Sequence, residues 1–169
     1  KKLLYQKSKG YIMSQRKFGV EIEHISKISH RSFVRELKEL RLAVDDYATG
    51  ESRCPNHCYS GWQVKTDGSI TCQGGYDYSI ELVSPPLSLS NLGELKTALA
   101  IASKYGAVNS SCGLHVHVAA SELYSNRSAN DLVIKRINRE WGCIEQAIFS
   151  YMPLSRRSNM HCKSGINAR

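Results

Sequence analysis

The sequence predicts an α+β fold, an antiparallel sheet with helices packed on one face, two layers deep. Three observations predict it. Several short segments alternate apolar and polar residues with a period of two, as strands buried on one side do. Three other segments repeat apolar residues at helical spacing. No internal repeat or interdomain linker divides the chain, so 169 residues are expected to share one core.

The first strand is expected at 16–25. In Phe18-Gly19-Val20-Glu21-Ile22-Glu23-His24, Phe18, Val20 and Ile22 share one face, while Glu21 and Glu23 share the other. A helix follows near 31–44, with Phe33, Leu37, Leu40 and Val44 as its apolar stripe. Asp45 to Ser60 reads as a loop rich in turn formers and cysteines, long enough for a flap or lid. Trp62 to Asp67 alternates again, with Trp62, Val64 and Thr66 opposite Gln63, Lys65 and Asp67. Asp67-Gly68-Ser69 is a turn signal. From Tyr76 to Val83, Tyr76, Tyr78, Ile80 and Leu82 are expected on one face, and Asp77, Ser79, Glu81 and Val83 on the other. Gly74-Gly75 marks a break or bulge, and Pro85-Pro86 ends the strand because proline cannot donate to a ladder.

A second helix is expected near 90–105, started by Asn91 and Glu94 in a capping-box spacing and closed by Gly106. Leu92, Leu95, Leu99 and Ala102 would be its buried stripe. The run Cys112-Gly113-Leu114-His115-Val116-His117-Val118 is a strand with both imidazoles on one face. A longer helix follows at about 129–151, with Val133, Ile137, Trp141, Ile144 and Ile148 along one side. Pro153 to Arg169 shows no clear period.

Composition narrows the function. The chain is 41% hydrophobic and 22% charged, within the globular range. A net charge of +8 suits phosphate-bearing ligands, but no basic block interleaved with aromatics and no nucleic-acid module is present, so no specific nucleic-acid partner is expected. No apolar run reaches the roughly 20 residues of a membrane span and no signal peptide is visible. A cytoplasmic setting with reduced thiols follows as the expectation. Residues 1–15 read as a basic extension, with Met13 a candidate natural start, ahead of a domain at 16–169. Among the six cysteines, Cys54, His57 and Cys58, with Cys72 further on, have ligand chemistry for zinc but lack the paired spacing of a zinc ribbon.

The uncovered sheet face carries the chemistry. Under the expected alternation it holds Glu21, Glu23, Gln63, Lys65, Asp67, Asp77, Glu81, His115 and His117. Carboxylates crowded together repel unless cations compensate them. Carboxylate oxygens favour magnesium or manganese, and imidazoles among them are compatible with manganese or zinc. A metal cluster of this kind would also bind triphosphate oxygens.

At this point the sequence resembles the amidoligase family. Phe18 to Glu23 looks like its opening strand. Trp62 to Ile70 with Glu81 to Leu87 looks like the second block, Cys112 to Val118 the third, and Arg156-Arg157-Ser158-Asn159 through Cys162 a looser fourth. The resemblance implies kinship with glutamine synthetase and the glutamate–cysteine ligases, hence a curved antiparallel sheet whose concave face holds ATP and magnesium or manganese. It implies that a carboxylate is phosphorylated by ATP and that an amine then attacks the acyl phosphate. By that likeness Glu21, Glu23, Asp67, Glu81 and His115 match metal ligands. His117 matches a residue near the transferred phosphate, and Arg156 or Arg157 a phosphate clamp. Lys65, on the same sheet face, is expected to contact the cofactor. The family pattern continues with a strand bearing a Glu and an Arg, so an incomplete domain, truncated at its C-terminus, is expected here. The implied partners are a carboxylate and an amine, from an amino acid, a peptide or a protein. A homo-oligomer, or a second chain completing the site, is a further expectation.

Two other functions fit the same residues. A zinc hydrolase would use His115, His117 and a carboxylate such as Glu21 to lower the pKa of a bound water. A non-catalytic module would keep the fold and bind nucleotide without turning it over.

Overall fold

The computed structural model of the protein describes residues 16–45, 60–119 and 127–157. The expected Cys-rich loop, with Cys54, His57 and Cys58, falls largely outside the described residues, as do residues 1–15. The chain divides into two compact units, Lys1–Ala119 and Ala120–Arg169.

The first unit is built on β1 (Phe18–Ser26). The α1 helix (His30–Glu39) follows, and the Ser29 hydroxyl at its start accepts a hydrogen bond from the Ser32 N–H. Then come β2 (Gln63–Lys65), β3 (Tyr78–Val83), a 3₁₀ turn (Leu89–Asn91) and α2 (Leu92–Tyr105). The two residues of β4 (Gly106–Ala107) and the five of β5 (Leu114–Val118) complete it. Every strand pair is antiparallel, in the order β2-β3-β1. The far side of β1 is shared: β5 pairs with Phe18 to Ile22 and β4 with Ile25 and Ser26. Residues 108–113 loop out between those two strands.

The register fixes the faces, because residues opposite one another in a ladder point the same way. Glu21 lies opposite Val83 and His115, Glu23 opposite Glu81, and Ile22 opposite Leu82 and Leu114. Val20, Ile22, Val64, Ile80 and Leu82 therefore point together, into a core with Phe33, Val34 and Leu37 of α1 and Ala98, Ile101 and Ala102 of α2. Each such large apolar side chain contributes roughly 1.5–3 kcal/mol by leaving water. The α+β class with an antiparallel sheet is the observed architecture, and within the first unit α1 and α2 pack on the apolar side of β1, β2 and β3, while Leu114, Val116 and Val118 of β5 are exposed.

Local differences from expectation have physical causes. The buried stripe of α2 is rotated: Leu92 and Leu99 are exposed, while Ala98, Ile101 and Ala102 face inward. Small alanines let the helix approach the sheet, and Tyr105 ties it to α1 by donating to Glu36 Oε2 at 2.7 Å. Leu40 and Val44 lie beyond the end of α1, and Leu40 is exposed. Asn91 does not cap α2 with its side chain; Asn91 Oδ1 accepts from the Ser88 N–H and O–H instead. Gly106 is extended, not left-handed, and starts β4. It is glycine because a Cβ would lie 2.6 Å from His24 Cδ2 and from the Ala102 carbonyl oxygen. Gly74 and Gly75, at φ of +64° and +79°, form the tight turn bridged by Gln73 and Tyr76, rather than a bulge. That turn moves Tyr76 out of the alternation. It packs with Ile25, Ile70, Cys112 and Ala107 in a second small cluster. Because Ile25 shares the face of Glu21 and Glu23, this cluster walls one end of the acidic face.

In the second unit, α3 (Arg127–Tyr151) is followed by the four residues of α4 (Leu154–Arg157). Among the described residues no helix is long and apolar enough to cross a membrane.

Candidate metal and nucleotide site

β1 sets the site by its alternation, placing Glu21 and Glu23 on the face away from the helices. β5 adds His115 directly opposite Glu21, and His117 opposite Gly19. β3 adds Glu81 opposite Glu23, and β2 adds Lys65 opposite Glu81. The expected gathering of Glu21, Glu23, Lys65, Glu81, His115 and His117 on one sheet face is what the register produces.

Glu21 is the centre. Its Oε2 is 3.0 Å from His115 Nδ1 and its Oε1 is 3.3 Å from His117 Nε2. The donor atoms of Glu21, His115 and His117 all lie within 4.8 Å of one another. His115 Nε2 is 3.7 Å from Glu23 Oε1. Glu23 is otherwise buried, and its Oε2 accepts the Gly113 N–H at 2.6 Å.

The charges are unevenly compensated. Burial pushes the Glu21 carboxyl up, but hydrogen bonds and charge from His115 and His117 outweigh it and hold the group below its usual range. Glu81 is raised: burial is the largest cause, Lys65 opposes it, and the carboxylates of Glu21, Asp67 and Glu23 add to it. Asp67 is held low by the Ser69 N–H and then the Ser69 hydroxyl, both at 2.7 Å. Asp67 thus closes its own turn, within electrostatic reach of His115 and Glu81.

The donor set fits a divalent cation. The ligand-type atoms of Glu21, His115 and His117 lie within 4.8 Å of one another, close enough for one ion to reach all three, and a carboxylate with two imidazoles is donor chemistry compatible with manganese or zinc. Glu23 and Glu81 lie beside them on the same face.

The remaining expected site residues have other partners or belong to the second unit. Gln63 shares the face by register but donates to Asp45 Oδ2 at 3.3 Å. Asp77 precedes β3 and is exposed. Arg156 and Arg157 belong to α4 of the second unit, where the Arg157 guanidinium donates to the Met152 and Ser150 carbonyls at 2.9 Å each. Cys72 is exposed.

Sequence reasoning passed over several residues. Lys17 and Gly19 continue the alternation of Glu23 and Glu21 on the same face; the same period was the signal. An open cavity of about 340 Å³ lies over Gly19, beside Glu21 and His117, lined also by Lys17, Val83, Ser84 and Pro86. Ser84 is buried there, its hydroxyl oxygen accepting the Val20 N–H at 2.8 Å. The Gly113 N–H is a backbone donor, and nothing in residue type announces it.

Searches of curated proteins and of solved structures find no match. A family model described as "putative amidoligase enzyme" matches residues 14–168, nearly the whole chain. The strand that pairs two acids with two imidazoles, the blocks that follow it in order, and that match over both units agree: the chain belongs to the amidoligase family.

Proposed function

We propose that the chain is the catalytic domain of an ATP-dependent carboxylate–amine ligase, which makes an amide or peptide bond through an acyl phosphate. The observation that carries this reading is the convergence of Glu21, His115 and His117, with Glu23 and Glu81 beside them, on the sheet face opposite the helices, in a member of an amidoligase family. In the proposed reaction a carboxylate oxygen of the substrate attacks the γ-phosphorus of ATP and ADP leaves. The amine nitrogen then attacks the acyl carbon, inorganic phosphate leaves with the C–O electron pair, and the nitrogen loses a proton.

Glu21, Glu23, Glu81 and His115 would hold magnesium or manganese, with Asp67 at the margin. Bound there, such ions neutralise phosphate oxygens and stabilise charge on the transferred phosphoryl group. His117 flanks the same point and can donate to a phosphoryl oxygen. Lys65 supplies a cation beside Glu81. The cavity over Gly19 adjoins the trio and offers room for the organic part of a nucleotide, with Lys17 on its wall. Arg156 and Arg157 remain candidate phosphate clamps by the family likeness. A cytoplasmic setting, where ATP is abundant, suits this chemistry.

The test is ADP release by the purified protein with magnesium or manganese, stimulated by a carboxylate and an amine together. Glu23→Ala is expected to abolish it; turnover equal to the parent protein overturns the reading. One observation favours a second function. Glu21, His115 and His117 form a one-carboxylate, two-imidazole set, the donor chemistry of a catalytic zinc. One zinc that survives dialysis would favour a hydrolase, whereas weak magnesium sites strengthened by nucleotide favour the ligase. Nucleotide binding without ADP release would favour the non-catalytic module.

A further inference from the structure

Loop 108–113 leaves the sheet after β4 and returns at Gly113, ahead of β5. Asn109 is its hub. Asn109 Oδ1 accepts from the Ser111 N–H at 2.8 Å, the Ser111 O–H at 2.6 Å and the Cys112 S–H at 3.6 Å. Asn109 Nδ2 donates to the Thr71 carbonyl at 2.8 Å, and Ser111 Oγ accepts the Thr71 N–H at 2.9 Å. Both main-chain groups of Thr71 are therefore held by this loop. Beneath them Cys112 packs on Ile70 and Ile25.

The next residue touches the site. Gly113 donates its N–H to Glu23 Oε2 at 2.6 Å, and its carbonyl accepts the Glu23 N–H at 3.1 Å. There is little slack, because a Cβ on Gly113 would lie 3.0 Å from His115 Nε2 and 3.1 Å from Glu23 Oε2. A carboxylate with one oxygen pinned has a fixed second oxygen, and here Oε1 is the one nearest His115.

We propose that Asn109 is a positioning residue: the turn it closes aims the Gly113 N–H at Glu23 and so fixes which carboxylate oxygen faces the metal donors. The inference rests on the metal-site reading for its consequence, but not for its geometry. Among the described residues Asn109 bonds to Thr71, Ser111 and Cys112 and to no site side chain, so it acts through Gly113. Partners of this outer kind typically change metal affinity by about 10–100-fold.

The experiment uses the full chain and the variants Asn109→Ala and Ser111→Ala. Ser111→Ala is the milder change and keeps the test open if Asn109→Ala does not fold. Val34→Ala, in the core on the opposite face, is the control for general destabilisation. Two readouts are taken: the Gly113 amide resonance in metal-free protein, and manganese affinity by electron paramagnetic resonance. In the parent, the Gly113 amide is expected downfield and slow to exchange, as a short hydrogen bond to a carboxylate requires. Asn109→Ala is expected to move it toward a solvated amide and to weaken manganese binding about tenfold or more. Ser111→Ala should do the same to a lesser degree, and Val34→Ala should change neither. An unmoved Gly113 amide in both loop variants overturns the proposal. A moved amide with unchanged affinity, in a parent that binds manganese, overturns it too. A parent that binds no manganese defeats the metal-site reading instead, and the amide shift alone then decides this one.

Discussion

Replacing Glu21 by Gln separates a ligand site from an ordinary surface cluster, because the two readings give different magnitudes. As structure alone, Glu21 makes two contacts to imidazoles, at 3.0 and 3.3 Å, and the His115 and His117 side chains are 52% and 64% exposed. Pairs so exposed are worth about 0–1 kcal/mol each. Relief of repulsion from Glu23 and Glu81 opposes that loss. Without metal, Glu21→Gln should therefore change stability by less than about 1 kcal/mol, under about 8 °C in melting temperature for a unit of this size. As a ligand, Glu21 is the only anion in the trio with His115 and His117. Removing it should cost more than an outer partner does, so manganese affinity should fall over about 100-fold, or about 2.8 kcal/mol. The assay is manganese titration by water-proton relaxation, paired with thermal melts in chelator. A variant that binds manganese within about threefold of the parent refutes the reasoning, whatever its melting temperature.

Glu81→Gln should raise the melting temperature in chelator at neutral pH and lose the gain that manganese gives the parent. The sign follows from its raised pKa: the folded state favours the protonated acid, so ionised Glu81 opposes folding once pH rises above the unfolded value. His24 is buried against Phe33, and that burial lowers its pKa. Unfolding takes up a proton there as pH falls below about 6.5, so stability should drop from about pH 7 to about pH 5.5, with a shallower slope in His24→Leu melts. Gly113→Ala should weaken manganese binding more than tenfold, because its Cβ displaces His115 or Glu23; calorimetry giving parental affinity would contradict the packing.

The faces of β1 and β5 were legible because strand alternation is local: Glu21, Glu23, His115 and His117 declare their side by spacing alone. Their mutual register needed the structure, although a one-residue slip of β1 would bury the acids and expose Val20 and Ile22. Helix burial was less legible. In α2, leucines at 92 and 99 looked like core by hydrophobicity, but depth is set by how closely a helix can approach, and Ala98 and Ala102 decide that. Tyr76 departed from its alternation because two glycines with positive φ turn the chain just before it. The loop contacts of Asn109 and the Gly113 N–H were invisible for another reason. They join residues distant in sequence, and one of them is a main-chain atom carried by every non-proline residue.

The acidic face has a consequence for how the fold and the chemistry share β1. Each carboxylate there has one partial compensation of its own: imidazoles for Glu21, a backbone N–H for Glu23, Lys65 for Glu81. These are enough to let the sheet form, since the apolar face of the same strands contributes most of the burial. They do not make Glu81 an ordinary acid: burial first, and then the neighbouring carboxylates, keep its pKa raised. A better-compensated sheet would be more stable and would attract cations less. The fold therefore tolerates unresolved negative charge on one side of β1 because Phe33, Leu37, Val64, Ile80 and Leu82 are so completely buried on the other. That division lets a few strands both hold the unit together and leave a face on which, under the proposed function, added divalent charge would be stabilising.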